Sequence, residues 1–123
     1  MNFREFGLIL FVEHYEDCID FYKEVLNFKV RSVKETLVSL ELAHGYLMVE
    51  KGGVGTDNEK TRERNPTVLR FDVDSLSSEV SKLEKRGVHF TQKQLEFPWG
   101  KIAVLNDPDG NRIEIGGINR ESG

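Results

Sequence analysis

Residues 6–50 and 66–117 of this 123-residue chain run through the same order of segments, and that repetition limits the fold more than any other feature. In the first half, residues 6–12 are apolar and β-branched enough for a buried strand. From Tyr15 the period changes. Ile19, Tyr22 and Leu26, with Cys18 and Val25 beside them, fall on one helical face, and Glu16 and Asp17 lie where a helix start favours negative charge. Asn27, which tolerates the left-handed conformation, marks the helix end. Residues 28–32, 36–42 and 46–50 then read as strands, the last two joined at His44-Gly45.

The second half restarts with a strand at 66–73. Asp74 or Ser75 caps a helix with the stripe Leu76, Val80 and Leu83, closed by Gly87. Strands at 88–92, 101–105 and 112–116 follow, interrupted by Phe97-Pro98-Trp99-Gly100. Sliding one half on the other sets Leu8, Leu10 and Val12 against Leu69, Phe71 and Val73, and Gly45 against Gly110. Such self-similarity implies a duplicated β-α-β-β-β unit rather than a continuous α/β sheet.

The second copy ends on the stretch Asp107-Pro108-Asp109-Gly110-Asn111-Arg112-Ile113-Glu114-Ile115. Asp107 can accept from the backbone two residues on, Pro108 presets φ and Gly110 supplies φ > 0. After this turn Asn111, Ile113 and Ile115 share one side of a strand, and Arg112 and Glu114 the other.

Between the copies, residues 51–65 lead with Gly52, Gly53 and Gly55 and continue as alternating charges with no apolar residue after Val54. They read as a mobile linker, with a lid over a ligand site as the alternative. The length suits one domain with a proper core. With 31% charged residues and a net charge of −4, the chain reads as soluble and argues against a nucleic-acid binder. The absence of an 18-residue apolar run and of a signal peptide leads us to expect a cytoplasmic protein without a membrane partner. The single cysteine, Cys18, sits among Glu16, Asp17 and Asp20, which would raise a thiol pKa, and reads as a small helix residue.

The paired modules, the helix motif Asp20-Phe21-Tyr22-x-x-Val25-Leu26 and the ending Asp107-Pro108-Asp109-Gly110-Asn111-x-Ile113-Glu114 resemble the vicinal oxygen chelate superfamily, the glyoxalase, bleomycin-resistance and extradiol-dioxygenase group. The resemblance implies an α+β fold of two βαβββ modules forming a curved, cup-shaped mixed sheet, with a homodimer as the usual assembly. It also implies, in the enzymes, a divalent metal held by four side chains, one from the first and one from the last strand of each module. Carried over by parity, those positions are Gly7, Val68, Val49 and Glu114, with Glu50 facing the other way unless the His44-Gly45 turn shifts the register. One carboxylate does not make a catalytic centre, and His14, His44 and His89 read as structural. We therefore expect no cofactor, the alternative being a divalent metal recruited by Glu114 and Glu50.

The same parity gives the cup lining as Ile9, Phe11, Leu47, Arg70, Arg112 and Glu114, with Arg70 as the ion-pair partner of a buried Glu114. Trp99, beside Phe97, offers an aromatic wall to a ligand, or else seals the core or a dimer contact. Two functions follow. One is a metal-free module that binds a small molecule, for which the acidic balance suggests a cationic or aromatic ligand, as in resistance or sequestration proteins. The other is a metal-dependent lyase, isomerase or dioxygenase, or a metal-free enzyme with Glu114 as catalytic base.

Overall fold

The computed structural model describes residues 1–118, and its strands fall into two four-stranded mixed sheets, one per repeat. In module one, β1 (Phe6–Val12), β2 (Val30–Val33), β3 (Leu37–Leu42) and β4 (Gly45–Lys51) lie in the order β1-β4-β3-β2. In module two, β5 (Leu69–Val73), β6 (Gln92–Phe97), β7 (Gly100–Asn106) and β8 (Arg112–Ile118) lie in the order β5-β8-β7-β6. The fold is α+β, two βαβββ modules, with the first strand of each parallel to the last.

Helix α1 (Tyr15–Asp20) continues as a π-helical turn over Phe21–Val25 and closes at Asn27, whose φ is 62°. Helix α2 (Leu76–Lys85) starts where the Ser75 hydroxyl accepts from the Ser78 N–H, and stops before Gly87 at φ 93°. Both helices cover the same side of the sheets. Tyr22 and Cys18 from α1 and its extension, Leu83 from α2, Leu47 and Val49 from β4, and Ile113 and Ile115 from β8 form one buried cluster. Each such side chain contributes roughly 1.5–3 kcal/mol by leaving water. Burial pushes the Cys18 thiol pKa up, so this sulfur is a packing group.

Two sequence expectations are corrected. The sixth strand lies at Gln92–Phe97, not 88–92, because Val88 and Phe90 pack against the core from an irregular segment, while the paired residues form a polar edge strand. The β3–β4 loop is Ala43-His44 rather than His44-Gly45, with Gly45 already paired to Leu42. One residue of shift exchanges the two faces of β4. Leu47 and Val49 therefore point to the helices, and Tyr46, Met48 and Glu50 to the open side.

The turn before β8 joins the modules. Asp107 Oδ1 accepts from the N–H groups of Asp109 and Asn111, and its Oδ2 accepts from the Tyr22 hydroxyl at 2.7 Å and Asn111 Nδ2 at 2.9 Å. Asp109, fully buried, accepts from the N–H groups of Glu13 and His14 at the start of α1, and His14 Nδ1 lies 2.8 Å from it. Of the stretch 51–65, read from sequence as a mobile linker with a lid as the alternative, Lys51 ends β4 and residues 52–65 are strapped to the same turn. Thr56 N–H donates to Asp109 O, Lys60 N–H to Gly110 O, and both Lys60 Nζ and Asn65 Nδ2 to Asn111 Oδ1.

The His14–Asp109 contact makes stability depend on pH. The hydrogen bond to Asp109 outweighs desolvation and holds the imidazole pKa above its usual range. Burial alone would raise the Asp109 carboxyl, but the Glu13 and His14 N–H groups and the His14 ring outweigh it, so the carboxyl titrates below its usual range. The His14 contribution is complete below the unfolded imidazole pKa of about 6.5 and is lost as pH rises through the higher folded value; that of Asp109 is present above about 3.9 and lost as pH falls. Urea unfolding between about pH 5.5 and 8.5 should show stability falling toward the alkaline side, and His14→Gln should flatten that slope. Parallel profiles for the two proteins would contradict the coupling.

Candidate functional site

The first strands of both modules are sheet edges, since β1 pairs with β4 and β5 with β8 on one side only. Between them and the strap lies a cavity of about 510 Å³. Leu8, Ile9, Leu10 and Phe11 supply four consecutive residues of its wall, as an edge strand seen side-on does. Val54, Thr56, Lys60, Arg64 and Asn65 of the strap form the opposite wall, and Leu69, Asn111 and Arg112 close it from module two. Ile9 and Phe11 remain 50% and 51% exposed, an apolar surface without a partner among the described residues. A volume within about 300 to 1,000 Å³, apolar walls and a few convergent polar groups are the usual make-up of a small-molecule site.

The residues expected to line the cup separate into three places. Ile9, Phe11 and Arg112 border the cavity. Arg70, Trp99 and Glu114 gather on the open face of module two, where β5 and β8 set Arg70 directly opposite Glu114. Arg70 Nη1 donates to Glu114 Oε1 at 3.1 Å and Nε to Asp72 Oδ1 at 3.1 Å, with the guanidinium 5.0 Å from the centre of the Trp99 ring. Trp99, in the two-residue Pro98-Trp99 turn between β6 and β7, stacks on Phe97 at 5.3 Å. Leu47 is the correction: it sits in the core under the helices and borders, with Arg70, a smaller cleft of about 350 Å³.

The Arg70–Glu114 pair differs from a buried one. The Arg70 side chain is 34% exposed, and Glu114 Oε2 also accepts from Arg112 Nε at 2.9 Å. A pair this accessible contributes about 1 kcal/mol or less, against the 3–5 kcal/mol at stake in a buried one. Arg112 Nη1 in turn donates to Glu59 Oε2 at 3.2 Å. Glu114 is thus neutralised by two guanidinium groups.

The four positions that would carry metal ligands are Gly7, Val68, Glu114 and, in the β4 register, Met48. The sheet register matches Leu8 with Leu47 and Leu69 with Ile113, so the module-one counterpart of Glu114 is Met48 and not Val49. Glu50, two residues on, shares that open face. A side chain at Gly7 would run into the Tyr46 ring, which covers the position. Among the described residues no group of three or more His, Cys, Asp or Glu could hold a metal ion. Two apolar positions, a thioether and a carboxylate already clasped by arginines do not fit a divalent cation that takes oxygen and imidazole ligands.

Sequence reading offered a lid over a ligand site only as the alternative for residues 51–65 and named none of its wall residues, above all Lys60 and Arg64. The available signal was length: a connection running through 51–65 is longer than the usual four to six residues, and long connections in compact domains tend to carry function.

The family model described as Glyoxalase/Bleomycin resistance protein/Dioxygenase superfamily matches residues 6–115. Among solved structures, this chain is similar to TnmS3, an antibiotic binding protein from Streptomyces sp. CB03234, at 21% identity and a TM-score of 0.72, covering 91% of this chain and 93% of that one. It is similar to a glyoxalase/bleomycin resistance protein/dioxygenase from Nocardioides at 14% identity and a TM-score of 0.77, covering 99% and 87%. A lactoylglutathione lyase from Agrobacterium tumefaciens matches at 14% identity and a TM-score of 0.70, covering 90% of each chain. No curated protein sequence matches. No helix among the described residues is long and apolar enough to cross a membrane.

Proposed function

We propose that this chain, which belongs to the glyoxalase/bleomycin resistance protein/dioxygenase superfamily, is a metal-free binding protein that holds a small molecule between β1 and the strap. The observation that carries this reading is the cavity of about 510 Å³ with exposed Ile9 and Phe11 on one wall and hydrogen-bonding strap residues on the other. Apolar surface of this kind gains about 25 cal/mol per Å² when a ligand covers it. The likeness to an antibiotic-binding protein supports sequestration as the use of such a site. Held there, a molecule is removed from solution without being changed.

A fluorescence titration with the neutral dye N-phenyl-1-naphthylamine tests the reading. The dye should bind saturably near one per chain, and Ile9→Glu, which puts a carboxylate in the apolar wall at an exposed position, should abolish binding without lowering the melting temperature. Absence of saturable binding, or affinity unchanged in Ile9→Glu, would overturn the site. Elemental analysis of the purified protein should find well under one divalent metal per chain; one tightly held metal, released by Glu114→Gln, would sink the metal-free part.

A further inference from the structure

The chain is acidic overall, at −4, yet among the described residues the charged ones lining the cavity are Lys60, Arg64 and Arg112, with no aspartate or glutamate in the wall. Arg112 is neutralised by Glu59 and Glu114. Lys60 and Arg64 differ from it. Lys60 is 9% exposed, and its ammonium donates to the neutral Asn111 Oδ1 at 2.9 Å, which uses one of three N–H donors. It forms no ion pair among the described residues. Asp109 feels its charge, but the Asp109 oxygens are already taken by the Glu13 and His14 N–H groups and the His14 ring. Arg64 forms no side-chain hydrogen bond or ion pair among the described residues.

A buried ammonium with no carboxylate bonded to it is costly, because desolvation of the ion is returned only by a partner that brings opposite charge and acceptors within contact. Here two cations with spare donors, Lys60 buried and Arg64 at the rim, share one wall, and the apolar side chains of Ile9, Phe11 and Val54 line the same cavity. Asn111, held by Asp107 and by Asn65, fixes the position of the Lys60 head from behind.

We propose that the ligand is an amphipathic anion. A carboxylate, sulfonate or phosphate head sits against Lys60 and Arg64, and an apolar or aromatic body covers Ile9, Phe11 and Val54. This inference rests on the cavity being the ligand site. It reverses the ligand charge suggested by the net acidity, because the field inside a small cavity is set by the groups that line it and not by the sum over the chain.

Two dyes that share an aromatic body test it: 8-anilinonaphthalene-1-sulfonate and its uncharged relative N-phenyl-1-naphthylamine. The wild type should bind the sulfonate about tenfold more tightly than the neutral dye at low salt, and the difference should shrink at about 0.5 M NaCl. Arg64→Ala should lower sulfonate affinity about tenfold, and Arg64→Glu further, in each case by a clearly larger factor than it lowers neutral-dye affinity. Lys60→Met should act in the same direction, but it also touches the turn that joins the modules, so the exposed Arg64 carries the test. Equal affinity for the two dyes, or sulfonate binding indifferent to Arg64→Glu, would overturn the anion assignment while leaving the cavity as a site. Failure of both dyes to bind would overturn the cavity reading and this inference with it.

Discussion

Asp107→Ala is expected to destabilise the protein by about 4 kcal/mol or more, read from urea unfolding. The Asp107 side chain accepts four hydrogen bonds, from the Asp109 and Asn111 N–H groups, the Tyr22 hydroxyl and Asn111 Nδ2. Tyr22 is fully buried, Asn111 is 2% exposed, and neither can turn to water when the carboxylate goes. Each buried donor left without a partner costs about 1–3 kcal/mol, and the loss is compounded because the turn orders the strap as well as the start of α1. Asp107→Asn keeps an oxygen for the two backbone donors but sets an amide NH₂ toward Tyr22 or Asn111, so a smaller loss of about 2 kcal/mol is expected. A change below about 1 kcal/mol in Asp107→Ala would mean that this turn does not hold the modules together.

The second large effect is expected from Gly110→Ala, read against Gly87→Ala. Both glycines have positive φ, 81° and 93°, so both substitutions carry the conformational penalty of about 1 kcal/mol for a left-handed residue. Their surroundings differ. A Cβ at Gly87 would meet nothing within 4 Å, whereas one at Gly110 would overlap Thr56 Oγ1 and lie 2.5 Å from Asn58 O, pushing the strap away. We expect about 1 kcal/mol for Gly87→Ala and about 3 kcal/mol for Gly110→Ala, the excess being overpacking. Gly110→Ala should also weaken the neutral dye, since displaced strap residues no longer wall the cavity. Equal losses at the two positions would show that the strap is not seated on this turn.

The helical stretch over residues 15–25 was legible because its apolar side chains recur at helical spacing and Asn27 takes the left-handed conformation that closes it, whereas the π-helical turn at Phe21–Val25 has no mark in that spacing. The turn at Asp107–Gly110 was legible for the same kind of reason: the Asp107 carboxylate accepts from Asp109 N–H, as its spacing requires. Edge strand β6 was not, because Gln92, Lys93, Gln94 and Glu96 face water and leave a single apolar residue, Leu95, between them and Phe97. Strand periodicity reports burial, and an edge strand has little to report.

The candidate site was legible where it lies on a strand of known parity and lost where it depended on register. Ile9, Phe11 and Arg112, placed by alternation, border the cavity, but so do Leu8 and Leu10 of the opposite parity, because the edge strand meets it side-on. Leu47 was misplaced because the loop lies one residue earlier than the glycine suggested, and a period of two turns that small error into the opposite face. Arg70 and Glu114 were paired correctly by the parallel repeat, but their exposure depends on what covers the open face, which no local pattern encodes.

By itself the sequence determined the duplicated β-α-β-β-β order, the helix stripes and the turn chemistry, since each follows from interactions between residues a few positions apart. Tertiary structure alone decided that Asp109 holds the start of α1 across 95 residues and that a polar segment becomes a cavity wall. It also decided that Lys60 is drawn in from the surface, to 9% exposure, against Asn111. Local propensity acts through steric and hydrogen-bonding preferences of neighbouring residues. Charges and amides on a strap take their meaning from whichever distant groups satisfy them, and those partners exist only after the two modules have closed on one core.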